Sequence, residues 1–260
     1  MSVPLIAAAA PPLIAVAHGS RDPRSARAVA AAVAGIRASR PDLDVRLCFL
    51  DLSAPSVDQA IDAVAAEGHS SAVVVPLLLG SAFHARVDLP GLLAAARARH
   101  RGLDLVQTDV LGDDDRLVAA VRNRAVTAGA ELDDPTVGVV LAAVGSSSQA
   151  ANARTARIAP RLLAGTGWSG VEICYATTEP SLPQAVSRLR RAGAKRIVVA
   201  PWFLAPGRLT DRLELQAGEH APAAVFGDVI GAHPLLAEVA LDRYDAGVEL
   251  VTGTRATLTA

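Results

Sequence analysis

Two of the six histidines in this 260-residue chain stand where imidazole chemistry can be organised. His18 directly follows an apolar run, in Ala17-His-Gly-Ser-Arg21. His84 sits in a loop after a later apolar run, in Leu79-Gly-Ser-Ala-Phe-His-Ala-Arg-Val-Asp-Leu-Pro90. Two converging neutral imidazoles can hold a divalent metal or accept protons near neutral pH. Spacing alone leaves a plainer alternative open, in which each is a loop histidine bonded to backbone groups. His69, His100, His220 and His233 read as solvated side chains. Paired-histidine zinc spacing is absent, and no cysteine lies at ligand spacing from a histidine. Cys48 and Cys174 fall in equivalent strands and read as small core residues.

The turn Gly19-Ser-Arg-Asp-Pro suits an anion. Asp22 or Ser20 can cap a helix there, and Pro23 fits its first position. Free N–H groups and the helix dipole attract negative charge, and Arg21, Arg24 and Arg86 can add charge-assisted contacts. The later Gly145-Ser-Ser-Ser148 turn and Arg154 offer a similar setting. Such turns after strands also arise for geometric reasons alone. Neither the Walker A nor the dinucleotide fingerprint is present, which argues against a nucleotide enzyme.

An internal repeat supplies the elements that must position these groups. Asp44–Phe49 resembles Gly170–Tyr175, and Pro55–Leu79 matches Pro180–Leu204 with nine identities in 25 positions, including the Pro, Gln and Gly residues. Each copy reads as an apolar strand, a Gly-Ser turn and a long helix (Pro23–Ala38; Gln149–Leu163). A second strand (Val45–Leu50; Val171–Ala176), a helix opened by Pro-Ser (57–66; 182–192) and a third strand ending at proline (Ala72–Pro76; Arg196–Pro201) follow. Continuous apolar strands alternating with helices predict an α/β fold with parallel sheets covered on both faces. The expected halves are 12–128 and 136–246, joined by a linker around Thr127–Pro135, with flexible termini at 1–11 and 247–260. In open α/β sheets the ligand crevice lies at the strand C-terminal edge, so the cleft between the halves is the expected site. His18 and His84 both fall on that edge in the first half. The counterpart of His18 in the second is Val144, and that of His84 is near Arg208 or Leu209. One chemically active half and one that shapes the cleft are therefore expected.

Composition narrows the function classes. The chain is 51% hydrophobic but 3% aromatic, and 25 basic against 26 acidic residues leave a net charge of -1. A general nucleic-acid binder needs a basic surface and stacking aromatics, and neither is available. Two cysteines cannot build a disulfide framework or a Cys-rich metal site, so a cytoplasmic protein is expected. The apolar start lacks a positive n-region and is broken by Pro11-Pro12, which argues against a signal peptide or membrane span.

The His18-Gly-Ser-Arg-Asp-Pro turn, the Pro76–Pro90 segment with His84, and the duplication together resemble the sirohydrochlorin chelatase family, over nearly the whole chain. The resemblance implies two flavodoxin-like halves facing a cleft, with the histidine pair in the first. It implies insertion of a divalent metal, Co2+ or Fe2+, into sirohydrochlorin in siroheme or cobalamin synthesis, with no nucleotide and no other cofactor. His18 and His84 would hold the metal and take the pyrrole protons. Gly19, Ser20, Ser81, Arg21, Arg24 and Arg86 would meet the peripheral carboxylates of the tetrapyrrole. Asp51, in Phe49-Leu-Asp51 at the same edge, would orient a histidine or relay protons, or simply cap a helix. No nucleic-acid or membrane partner is expected, and the chain would act as a monomer or homodimer. Rival readings are a non-catalytic tetrapyrrole or metal carrier on the same scaffold and, less favoured, an anion or phosphate-ester enzyme.

Overall fold

A computed structural model describes residues 10–80 and 87–258, with side chains through Thr252. Ser81, His84 and Arg86 lie outside the described residues. The first sheet holds β1 (Leu13–Ala17), β2 (Val45–Phe49), β3 (Ser71–Pro76) and β4 (Asp104–Gln107), all parallel, in the order β2-β1-β3-β4. The second repeats it with β5 (Val137–Ala143), β6 (Gly170–Tyr175), β7 (Arg196–Pro201) and β8 (Val225–Phe226), in the order β6-β5-β7-β8. Every residue of β1 and β5 is buried, as uninterrupted apolar strands in a two-sided sheet require.

Nine helices cover the sheets among the described residues: α1 (Pro23–Ser39), α2 (Val57–Ala66), α3 (Leu89–Arg99), α4 (Asp115–Thr127), α5 (Gln149–Ala156), α6 (Ile158–Leu163), α7 (Leu182–Arg191), α8 (Arg208–His220) and α9 (Pro234–Leu258). The duplicated Pro-Ser-x-x-Gln stretches start α2 and α7 alike. Ser56 with Gln59 and Ser181 with Gln184 form capping boxes that satisfy free N–H groups at both helix starts. The single helix expected over Gln149–Leu163 is instead two, broken at Arg157. Pro160 causes the break, because it has no amide to donate and its ring crowds the carbonyl four residues back, at Ala156.

Strand alternation sorts the cores. Ile14 and Val16 point to an outer core with Ile61 and Leu93 of α2 and α3. Leu13 and Ala15 point inward, to a core shared with Val139, Leu141 and Ile158 of the second half. Val140 and Ala142 pack outward against Leu189 and Leu213 of α7 and α8. The halves are therefore joined through a continuous interior.

The join is an exchange of helices. α4, from the first half of the sequence, packs on β7 and α6, whereas α9, from the second, packs on β3, β4 and α1. Tyr244 of α9 is buried and its hydroxyl donates to the Pro11 carbonyl at 2.7 Å. Arg161 of α6 pairs with Asp113 and Asp115 at the start of α4, at 2.9 and 2.7 Å. Two expectations are corrected here. Residues 247–258 are not a flexible tail but the rest of α9, held to the first sheet where Val251 is buried. Pro11, expected in a flexible leader, accepts the Tyr244 bond. Residues 1–9 lie outside the described residues.

Gly247 marks where α9 presses on the sheet. A Cβ there would sit 2.4 Å from Val73 Cγ1 and 2.9 Å from Thr108 Cγ2. Gly247→Val should destabilise the protein by about 2 kcal/mol, through overpacking against fully buried Val73. Gly35 of α1 has open space around its Cβ position, so Gly35→Ala should stabilise by about 0.5–1 kcal/mol through helix propensity. Urea midpoints of the two variants should move in opposite directions.

Candidate active site

The strand order fixes where a ligand can enter. The connection from β1 leads to β2 on one side, and β3 lies on the other, so the chain switches direction between β1 and β3. Ligands of open α/β sheets bind outside the strand C-termini at such a point. The loop after β1, with His18, starts there, and so does the segment that leaves β3 at Leu77. Val16 is level with Pro76, and the Leu77 amide donates to the Val16 carbonyl at 2.8 Å, so both loops depart side by side. His18 is exposed at this edge. The position of His84 is not among the described residues.

Gly19 makes the turn after His18 possible. Its φ is +91°, in the left-handed region that favours glycine, and a Cβ would lie 1.7 Å from the Asp51 carbonyl oxygen. The backbone of the loop after β2, which carries Asp51, thus presses directly on the loop after β1. The Asp51 amide donates to the His18 carbonyl at 3.1 Å. Ser53, which the sequence reading passed over, stitches the same two loops. Its hydroxyl accepts from the Ser20 amide at 3.2 Å and donates to the Ser20 carbonyl at 3.0 Å. Asp51 is exposed, and its Oδ1 accepts from the Leu52 amide at 2.7 Å. Leu52 itself has φ 59° and is 48% exposed, an apolar side chain held out at the edge by a strained backbone.

Other expected residues separate. Asp22, not Ser20, is the N-cap of α1, accepting from the Arg24 amide at 2.9 Å. Ser20 Oγ accepts from the Asp22 amide at 3.0 Å and keeps its O–H as a donor. Arg21 is exposed, and among the described residues its guanidinium makes no hydrogen bond or ion pair. Arg24, expected to clamp an anionic ligand, is already paired with Asp22 and with Asp211 of α8, both at 2.6 Å. The Arg24 guanidinium holds the Asp22 carboxyl down to about 2. Arg24–Asp211 also joins the first turn of α1 to the first turn of α8, so the C-terminal edges of the two sheets meet at a common mouth.

The second half has the same turn without the same chemistry. Gly145 has φ +86°, and the Thr177 amide donates to the Val144 carbonyl at 3.1 Å, as Asp51 does to His18. The imidazole and the carboxylate are therefore both replaced, by Val144 and Thr177. The sequence comparison of these strands ended at Phe49 and Tyr175, and it is the matched hydrogen bonds that pair Asp51 with Thr177. The loop after β2 is also one residue longer than the loop after β6, and it is in this longer loop that Leu52 takes its left-handed turn.

The remaining histidines sit elsewhere. His100 Nε2 lies 2.6 Å from Asp62, His233 Nδ1 accepts from the Leu235 amide at 3.2 Å, and His220 ends α8. Among the described residues, one grouping of three possible ligands converges: Asp44, Glu67 and His69. It lies at the opposite sheet edge, and Arg46 already pairs with both acids. Both thiols are buried, and burial pushes each up to about 12, so neither is a thiolate ligand at neutral pH. Cys48 and Cys174 should resist iodoacetamide at pH 8 in the native protein and both react in urea, as mass spectrometry would count.

Comparison with known proteins gives a consistent picture. The family model described as CbiX matches residues 12–128 and 138–246. A sirohydrochlorin cobaltochelatase of Priestia megaterium is 28% identical over 246 residues, covering 90% of this chain and 79% of that protein. A sirohydrochlorin ferrochelatase of the same organism is 30% identical over 232 residues, covering 86% and 85%. The solved structure of SirB from Bacillus subtilis with Fe3+ superposes with a TM-score of 0.79 at 25% identity, covering 94% of this chain and 98% of that one.

Proposed function

The chain belongs to the CbiX family, and from that premise we propose that it inserts a divalent metal, Co2+ or Fe2+, into sirohydrochlorin in siroheme or cobalamin biosynthesis. The observation that carries the reading is the exposed imidazole of His18 at the β1/β3 switch point, in a half whose duplicate has lost it. Metal and tetrapyrrole are both substrates. The tetrapyrrole gives up two pyrrole N–H protons as the dication enters, so a site must hold the metal and remove two protons.

In this reading His18 and His84 hold the incoming metal on one face of the ring and pass the protons outward, since neutral imidazole does both. Asp51, one bond from the His18 backbone, orients an imidazole or carries a proton to solvent. Gly19 lets the first loop approach the macrocycle, and Ser20, Ser81, Arg21 and Arg86 meet its carboxylates. The first half, 12–128, carries the chemistry, and the second, 136–246, forms the facing wall. No nucleotide is consumed, because ligand exchange from water to four nitrogens drives the reaction. No described helix is long and apolar enough to cross a membrane. The protein acts in the cytoplasm as a monomer or homodimer, without nucleic-acid or membrane partners.

The test is anaerobic incubation of the protein with sirohydrochlorin and Co2+ or Fe2+, followed by absorbance of the metallated ring. Insertion above the spontaneous rate is expected with at least one of these metals. Tight binding of the tetrapyrrole with no acceleration for any divalent metal would replace the enzyme by a carrier.

A further inference from the structure

All basic side chains except Lys195 are arginines, and most of those described are already engaged with acids or backbone carbonyls. Examples are Arg46 with Asp44 and Glu67, Arg99 with Asp58, and Arg122 with the Arg161 and Leu162 carbonyls. The described arginines whose side chains make no hydrogen bond or close ion pair are not scattered. Apart from Arg101, beyond the end of α3, they are Arg21, Arg27, Arg154, Arg157, Arg208 and Arg212. All six lie on the segments that leave the C-terminal ends of β1, β5 and β7, in or near α1, α5 and α8. A surface that neutralises its arginines elsewhere has left them unpaired around the mouth.

We propose that Arg154 and Arg208, from the half that lacks the imidazole, bind peripheral carboxylates of the tetrapyrrole and set selectivity for a polycarboxylated ring. This rests on the function proposed above. Arg208 is the first residue of α8, and Asp211 in the same turn reaches Arg24 of α1 at 2.6 Å. That pair demonstrates arginine-to-carboxylate bonding across the mouth, and it brings Arg208 to the same opening as Arg21. Arg154 rides on α5, which buries none of its residues and hangs from the Ser146–Ser148 turn at the end of β5. Asn152 holds that turn, accepting from the Ser146 amide and donating to its carbonyl, both at 2.8 Å. A planar guanidinium takes a carboxylate through two parallel bonds, and it does so best when no internal acid competes. The division of labour follows: one half handles metal and protons, the other grips the acid arms.

The experiment compares Arg154→Gln/Arg208→Gln with wild type and with Arg101→Gln, using sirohydrochlorin and a tetrapyrrole that carries only two carboxylates. Among the described residues, none of the three guanidinium groups makes a hydrogen bond or ion pair inside the protein, so the variants should fold. Each lost charge-assisted contact should weaken sirohydrochlorin binding about 10-fold. The double variant should therefore show a KM raised about 100-fold with kcat changed little, a shallower salt dependence, and unchanged affinity for the dicarboxylate ring. Arg101→Gln should behave as wild type. A double variant with the KM of Arg101→Gln, beside an active wild type, overturns this inference and leaves the chelatase reading standing. A wild type that neither binds nor metallates sirohydrochlorin overturns both.

Discussion

His18→Ala should reduce the rate of metal insertion by about 100-fold or more, while leaving tetrapyrrole binding and stability nearly unchanged. The size follows from what the imidazole does: loss of a positioned proton acceptor alone costs about 10²–10⁴-fold, and here the same ring also holds the metal. Stability should be spared because His18 is exposed at a strand end, and the turn around it is held by backbone bonds from Asp51 and by Ser53, which stay in place. Stopped-flow absorbance under anaerobic conditions would measure the rate, and a urea titration would measure the fold. Exogenous imidazole should restore part of the activity, since the side chain is reachable from solvent. His84→Ala should match it. A His18→Ala protein as fast as wild type would remove imidazole from the chemistry.

Gly19→Ala should have the largest effect on the protein as a whole. A methyl group cannot occupy a point 1.7 Å from the Asp51 carbonyl oxygen, so the loops after β1 and β2 must part. The left-handed φ adds backbone strain. Together these should cost about 3 kcal/mol or more, and they should also disconnect His18 from Asp51, abolishing insertion even in the fraction that folds. Gly68→Ala separates the two causes. Gly68 has φ +84° with nothing within 4 Å of its Cβ position, so only strain remains, at about 1 kcal/mol. Equal denaturation midpoints for the two variants would show that the contact with Asp51 is not tight.

The parts of this fold that could be read from sequence share a local cause. The continuous runs at Leu13–Ala17 and Ala72–Pro76 end where Gly19 and Pro76 punctuate them, and the Pro-Ser-x-x-Gln signature fixes the starts of α2 and α7 almost to the residue. Placing His18 at the C-terminal end of β1 needed only those local signals. What was missed is set by tertiary partners. The apolar stripe of α4, with Leu117, Val118 and Val121, says that one side is buried, not which sheet buries it, so the exchange with α9 was invisible. The same holds for 247–258, where Gly247 looks like a helix breaker until Val73 is found against it. Arg24 looked like an anion clamp because spacing cannot reveal that Asp211, 187 positions away, already occupies it. Ser53 carries no motif; only its bonds to Ser20 reveal its role.

The traded helices bear on how a large flat molecule gets in. A two-lobed enzyme usually admits its cargo by swinging one lobe on a flexible connector, but here α4 and α9 are rooted in opposite sheets within one core that includes Leu13, Leu117, Val139 and Tyr244. Swinging the lobes apart would tear that shared packing, and close-packed interiors do not stretch. The jaw is therefore fixed at folding, and admission falls to the parts outside the core, the loop ends and α5, which buries none of its residues.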